Sequence, residues 1–277
     1  MSAPALNRPP RAAIVLVAIA AVIMLVPMLW VLILSFKNNA ALMADTSSVF
    51  TPPWTLANYR SILGESQVFT WLMNSVIVSL AMTIGVLLLS SLAGYGFARL
   101  EFPGRKLLFV IVLFGLAIPE QAVILGRHQM FSAVSLHNTY TALVLPGLAM
   151  PFGVFLMTQY FRAIPRDIDE AAMLDGASRP RIFWRILLPL TLPAQATLGI
   201  FTFFHAWNDY WWPLISATNK DMLTLTVGIA ATQMNFAQTE GLGFLMAQAV
   251  FAGLPTLLVY LAFQKYIVRA VAGAAGQ

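Results

Sequence analysis

The chain has 277 residues, of which 59% are hydrophobic and only 10% charged, with a formal net charge of +5; its mean hydropathy is +0.78. Water-soluble domains carry roughly 45–50% apolar and about 25% charged residues, so a soluble enzyme, a disordered chain and a free nucleic-acid binder are excluded. Cysteine is absent, which removes a disulfide framework, a thiolate nucleophile and a cysteine-based metal site.

A membrane helix needs about 20 mostly apolar residues. The first such stretch is residues 12–36, with no charge between Arg11 and Lys37. It is longer than the apolar core of a signal peptide, about 7–15 residues, so a retained span is expected. Five more follow at residues 71–98, 107–126, 139–161, 189–206 and 244–264. None alternates apolar with polar as a barrel strand would. The expected fold is an all-α membrane protein with six transmembrane helices in one domain over residues 1–277.

Six spans place both termini on one side. That side carries Arg8 and Arg11, then Arg99, Arg105 and Lys106, then Arg162, Arg166, Arg179, Arg181 and Arg185, and finally Lys265 and Arg269. The other side carries Lys37, Arg60, Arg127 and Lys220. The richer side is cytoplasmic by the positive-inside rule, which also accounts for the modest basic excess without a nucleic-acid partner. Trp54, Trp71, Trp207, Trp211 and Trp212 fall on the outer side, near the interface that indole prefers.

Two spans carry polar or small residues that need a purpose. Asn74, Ser75, Ser79 and Thr83 form one stripe of the second span, suited either to helix contact or to a hydrated cavity. Gly94 and Ala98, four apart, permit close approach of another helix. Glu120 is the one carboxylate inside a span; it either pairs with Arg127 near the outer end or lines a polar path. On the outer side Trp207, Asn208, Asp209 and Tyr210 combine aromatic faces with hydrogen-bonding groups, which suits a polyol and an interface belt equally.

Residues 162–188 are the informative loop. Pro165 suits a first helical turn. Asp167, Asp169 and Glu170 put negative charge at the positive end of that helix. Ile168, Ala171, Ala172 and Asp175 share a face, with alanines that let another backbone approach. Gly176 can stop the helix in a left-handed conformation, followed by Ala177. Ser178 can cap a second short helix with Pro180 in its first turn. Ile182, Phe183, Ile186 and Leu187 give that helix an apolar face, and Pro189 and Pro193 mark the entry to the fifth span. A helix, a sharp turn and a second surface helix are expected; on spacing alone, a plug for a partner's socket and a solvated connector stay equally open.

Glu170-Ala171-Ala172, three residues, Gly176, nine residues, Ile186, one residue, then Leu188-Pro189 resembles in full the EAA loop of bacterial ABC importer permeases. Thr51-Pro52-Pro53-Trp54-Thr55-Leu56 with Asn58-Tyr59, Asn74-Ser75, Ala93 to Arg99, Asp175 to Ser178, Trp207-Asn208-Asp209-Tyr210 and Pro213-Leu214 resemble the maltose-type carbohydrate family, and within it the shorter six-span subunit. The tail Gly273-Ala274-Ala275-Gly276-Gln277, Ala270, and Arg127-His128 depart from that pattern.

The resemblance implies a type I importer permease in the bacterial cytoplasmic (inner) membrane, multi-pass, with both termini cytoplasmic. It implies a second permease subunit, an ABC ATPase dimer and an extracytoplasmic solute-binding protein as partners, with a sugar or oligosaccharide as substrate moved by alternating access. Glu170, Ala171, Ala172, Asp175, Gly176, Ala177, Ile182, Phe183, Ile186 and Pro189 would then form the ATPase-coupling loop, with Glu170 fixing it by a charged contact to its own loop or to the ATPase. Asn74, Ser75, Glu120 and Trp207 to Tyr210 are the candidate substrate path. No stretch reads G-x-x-x-x-G-K-[ST], so the chain is not expected to be an enzyme or to bind a cofactor; ATP and magnesium belong to the partner ATPase. The alternatives are a polyol or glycerol phosphate as cargo, and, more distantly, a secondary transporter, a channel or a scaffold, none of which explains the whole loop pattern.

Overall fold

The computed structural model describes residues 11–38, 42, 50, 52–64, 66–236 and 241–275. Arg8, Thr51 and Gly276-Gln277 of the sequence reading lie outside them. The described residues form helices; their one β-type pairing is an isolated bridge between Lys37 and Trp54. By internal contacts the chain falls into two units, residues 1–65 with 231–253, and residues 66–230 with 254–277.

In the first unit, α1 (Arg11–Ser35) buries only Leu34 and Ser35. Its residues from Ile14 to Leu32 lie open on nearly all sides, as expected of a helix solvated by lipid rather than water. At its end Asn58 of α2 (Ala57–Gly64) donates to the carbonyls of Ser35 and Lys37, both at 2.9 Å. The Lys37 ammonium sits 4.0 Å from the centre of the Trp54 ring.

The second unit is built on α3 (Ser66–Arg99), a 34-residue helix. A rise of about 1.5 Å per residue makes it longer than the roughly 30 Å hydrocarbon layer. It packs most extensively on α7 (Pro151–Ala163), and then on α11 (Leu192–Asn208) and α6 (Tyr140–Leu148). Gly94 makes a close backbone approach to α7 possible: a Cβ there would collide with Met157 and the backbone of Thr158. The small-xxx-small pair read from the sequence is thus a packing face.

Three helices are long and apolar enough to cross a membrane, Arg11–Ser35, Gln67–Arg99 and Gly241–Gln264. Two bent pairs also qualify when each is taken as one span: α6 with α7, bent by 46°, and Arg179–Leu190 with α11, bent by 76°. The expected span at 107–126 is not a continuous helix. It divides into α4 (Arg105–Phe114) and α5 (Glu120–Ala133). The reason is local: Pro119 has no N–H to donate and pushes the preceding residue out of helical conformation, and it stands extended (ψ 135°) as the cap of α5. Helix length and hydropathy therefore give three to five spans among the described residues, rather than six.

Candidate functional site

The loop from 162 to 188 folds as α8 (Asp167–Leu174), a turn, and α9 (Arg179–Ile182), which runs through a π-helical segment, Phe183–Leu187, into α10 (Leu188–Leu190). All three acids of the pattern stand in the first turn of α8. Gly176 takes φ 77°, the left-handed conformation that a Cβ makes costly, and the Gly176 and Ala177 amides return to the carbonyls of Met173 and Ala172. Two local readings are corrected. Pro165 precedes α8 instead of opening it, since Arg166 is the cap residue. Ser178 occupies the cap of α9 but its hydroxyl makes no capping bond.

Of the predicted loop residues, Ala172, Ile182 and Phe183 are buried and Ile186 is half-buried. Glu170, Ala171, Asp175, Gly176 and Pro189 are exposed, with Ala177 between these extremes. The tip of α8 is greasy and open: Leu174 is 90% exposed and Met173 48%, while Trp184 in the π segment is 50% exposed.

The last turn of α3 holds this loop, and sequence reasoning missed the residues that do it. Arg99 donates from Nη2 to the carbonyl of Ile164 at 2.7 Å, the residue that closes α7. Its Nε stands 3.0 Å from Asp169 Oδ2, with the two side chains only 7% and 13% exposed. The Nε–Oδ2 contact lies off hydrogen-bond geometry, so it is a Coulombic contact. One turn earlier, the Tyr95 ring packs 6.0 Å from Phe161 and 5.1 Å from Phe183, centre to centre. Glu170, which the pattern singled out, lines a polar cleft with Arg166, Arg179 and Met173. Asp169 is its neighbour and Arg99 closes the Ala93–Arg99 motif, but no local spacing joins residues 70 positions apart.

The opposite end of α3 is held by neutral hydrogen bonds. Trp71 Nε1 donates to Lys220 O at 2.8 Å. The Asn74 amide donates to Asp221 O and Leu223 O at 2.8 and 2.9 Å and accepts from the Tyr140 hydroxyl at 2.6 Å. Ser75 Oγ accepts from the Leu225 amide at 2.8 Å. Asn74 and Ser75 thus bind the segment after α12 (Trp211–Ser216). Further along the same stripe Ser79 is buried, whereas Thr83 lines an apolar groove with Leu87, Gln195, Gly199 and Phe203.

Glu120 opens α5 and meets Arg127 Nη1 at 3.3 Å and His205 Nε2 at 3.7 Å. The Arg127 guanidinium also lies 5.0 Å from the centre of the Trp212 ring. Trp207 is buried and stacks on Phe203 at 5.7 Å. Asn208 is exposed and its amide returns to Phe204 O. Asp209 accepts from the Trp212 amide at 3.4 Å; burial, reinforced by the charge of Glu120, raises its pKa above the ordinary carboxylate value. Tyr210 is half-buried against Trp211.

Residues 87–273 match the family described as "Binding-protein-dependent transport system inner membrane component". The chain belongs to this family. The matched region contains both the 162–188 loop and the Arg99 anchor. Among curated relatives, the Diacetylchitobiose uptake system permease protein NgcG of Streptomyces coelicolor is 37% identical over 90% of this chain and 83% of its own length. The Arabinooligosaccharides transport system permease protein AraQ of Halalkalibacterium halodurans is 33% identical over 91% and 90%. In fold, the chain resembles a crystal structure of a bacterial ABC transporter that imports the acidic polysaccharide alginate, with a TM-score of 0.79 at 21% identity over 92% of this chain and 95% of that one. The chain therefore has the fold of an ABC transporter permease, and its family is that of inner membrane components of binding-protein-dependent transport systems.

Proposed function

We propose that this chain is the translocating subunit of a binding-protein-dependent ABC importer for a sugar or oligosaccharide, acting as one domain in a bacterial cytoplasmic membrane. The observation that carries this reading is the shape of the 162–188 loop. An acid-headed helix ends at a left-handed glycine and presents Met173 and Leu174 to the outside, on a segment whose arginine-rich flanks belong to the cytoplasmic side. An exposed apolar tip of this kind favours a docking partner.

In this reading both termini are cytoplasmic, and α4 with α5 together form the third of six spans despite the break at Pro119. An ATPase dimer carrying ATP and magnesium receives the tip of α8, with Glu170 facing it and Gly176 setting the turn. Closure of the dimer moves α8, and a second permease subunit completes the path. A solute-binding protein delivers the sugar at the Trp207–Tyr210 side, where Glu120 and Asp209 stand. The names of the two curated relatives, which concern a chitobiose derivative and arabinooligosaccharides, support the cargo class.

The test is ATP hydrolysis by the co-expressed complex in proteoliposomes, with its binding protein and one saccharide at a time, starting with diacetylchitobiose and arabinotriose. Stimulation by a saccharide is the expected result. Stimulation only by glycerol phosphate or a free polyol would overturn the cargo class, and uptake driven by an ion gradient without ATP would overturn the importer reading.

A further inference from the structure

The polar contacts at the Arg99 end of α3 divide two acidic neighbours. Asp169 is buried against a guanidinium, while Glu170, one residue on, is exposed. Arg99 also holds the carbonyl of Ile164, so a single side chain at the end of α3 ties the end of α7 to the first turn of α8. A cation is well placed there, because the last turn of α3 presents the negative end of its dipole. Tyr95, one turn back on the same helix, wedges against Phe161 of α7 and Phe183 of the π segment. Ile164, Asp169 and Phe183, at the start, in the first helix and in the second half of the loop, are thereby each in contact with the last turns of α3.

We propose that Arg99 is a positioning residue for transport: its buried contact with Asp169 makes α8 and the end of α3 move as one body, so that a displacement delivered to α8 reaches the membrane-spanning core. This rests on the reading of α8 as the ATPase contact. It also separates the two acids by task. Asp169 faces inward and fastens the loop to its own chain, which leaves Glu170 free for the partner. The guanidinium is needed because its fork reaches two acceptors at once; an ammonium is a point donor.

The natural absence of cysteine allows a direct test. Spin labels at Asp167→Cys, in the first turn of α8, and Leu92→Cys, on α3, report one distance within the intact importer, assembled with cysteine-free partner subunits. The measurement is made without nucleotide and with ATP, magnesium and vanadate. The expected result is one narrow distance distribution, the same in both states. In Arg99→Gln and Asp169→Asn the distribution broadens and shifts with nucleotide. Arg99→Lys does so less, and the swap Arg99→Asp with Asp169→Arg recovers the narrow distribution.

Variants that keep the unvarying narrow distribution would overturn the proposal, as would a native distance that itself shifts with nucleotide. So would a loss confined to the yield of assembled complex, the mark of a merely structural contact. If no ATPase assembles on the native chain, the importer reading fails first and the brace falls with it. If Glu170→Lys abolishes nucleotide-driven transport while Arg99→Gln leaves the distance unchanged, only the brace fails.

Discussion

The two ends of α3 are fastened by different physics. At the Trp71 end, three side chains donate to or accept from the backbone of residues 220–225 through neutral hydrogen bonds of 2.8–2.9 Å. These bonds are directional and fix that segment in place. At the Arg99 end, one guanidinium gives a charged hydrogen bond to Ile164 O and an off-angle ion pair to Asp169, a cluster of rings packs alongside, and the tip of α8 stays bare. One end binds a segment of its own chain; the other, in the function proposed above, is held while the ATPase pushes on it.

Breaking each end should give a different phenotype. The largest effect is expected from Glu170→Lys: reversing an exposed charge leaves the chain folded and assembled with its second permease, but transport falls to background in proteoliposomes. Asn74→Ala should do the reverse. It removes three hydrogen bonds, each worth about 0.5–1.5 kcal/mol, so melting of the detergent-purified complex should show a loss of about 2–4 kcal/mol, with the ATPase still docking. Gly94→Val forces α3 away from α7 and should cost about 1–3 kcal/mol by overpacking, read in the same melt.

Gly176→Ala fills open space but keeps a left-handed backbone, at a cost of about 1–2 kcal/mol. It should weaken coupling more than it lowers the melting temperature. The smallest effect is at Asp209. Its raised pKa means that the folded state holds this proton more tightly than the unfolded chain does. Its contribution to stability is therefore complete below the unfolded pKa and is lost as pH rises through the folded one. Asp209→Asn keeps an acceptor for the Trp212 amide and should remove that decline, leaving the complex slightly more stable at neutral pH.

What could be read from the sequence followed from how local each cause was. The turn at Gly176 needs only a glycine after an amphipathic helix, and the close packing at Gly94 needs only small residues four apart; both were legible. Pairing of Glu120 with Arg127, two turns along one helix, was legible as one of two alternatives. The break before Glu120 was missed because a hydropathy window counts Pro119 as one more apolar residue and ignores its missing donor. Arg99 and Asp169 could not be paired, since nothing in either stretch points to the other until α3 and α7 have packed. The partners of Asn74 and Ser75 lay farther off still, 147 to 150 residues later.

The central claim is that the tip of α8 receives the ATPase, and a photocrosslinker on a single introduced cysteine tests it directly. A probe at Leu174→Cys in the assembled complex should crosslink to the ATPase subunit, with a yield that changes when ATP and magnesium are added. Probes at Leu63→Cys and Trp211→Cys, also exposed but elsewhere on the chain, should not. Crosslinking of the ATPase at either of those positions, with none at Leu174, would contradict the coupling role of the loop.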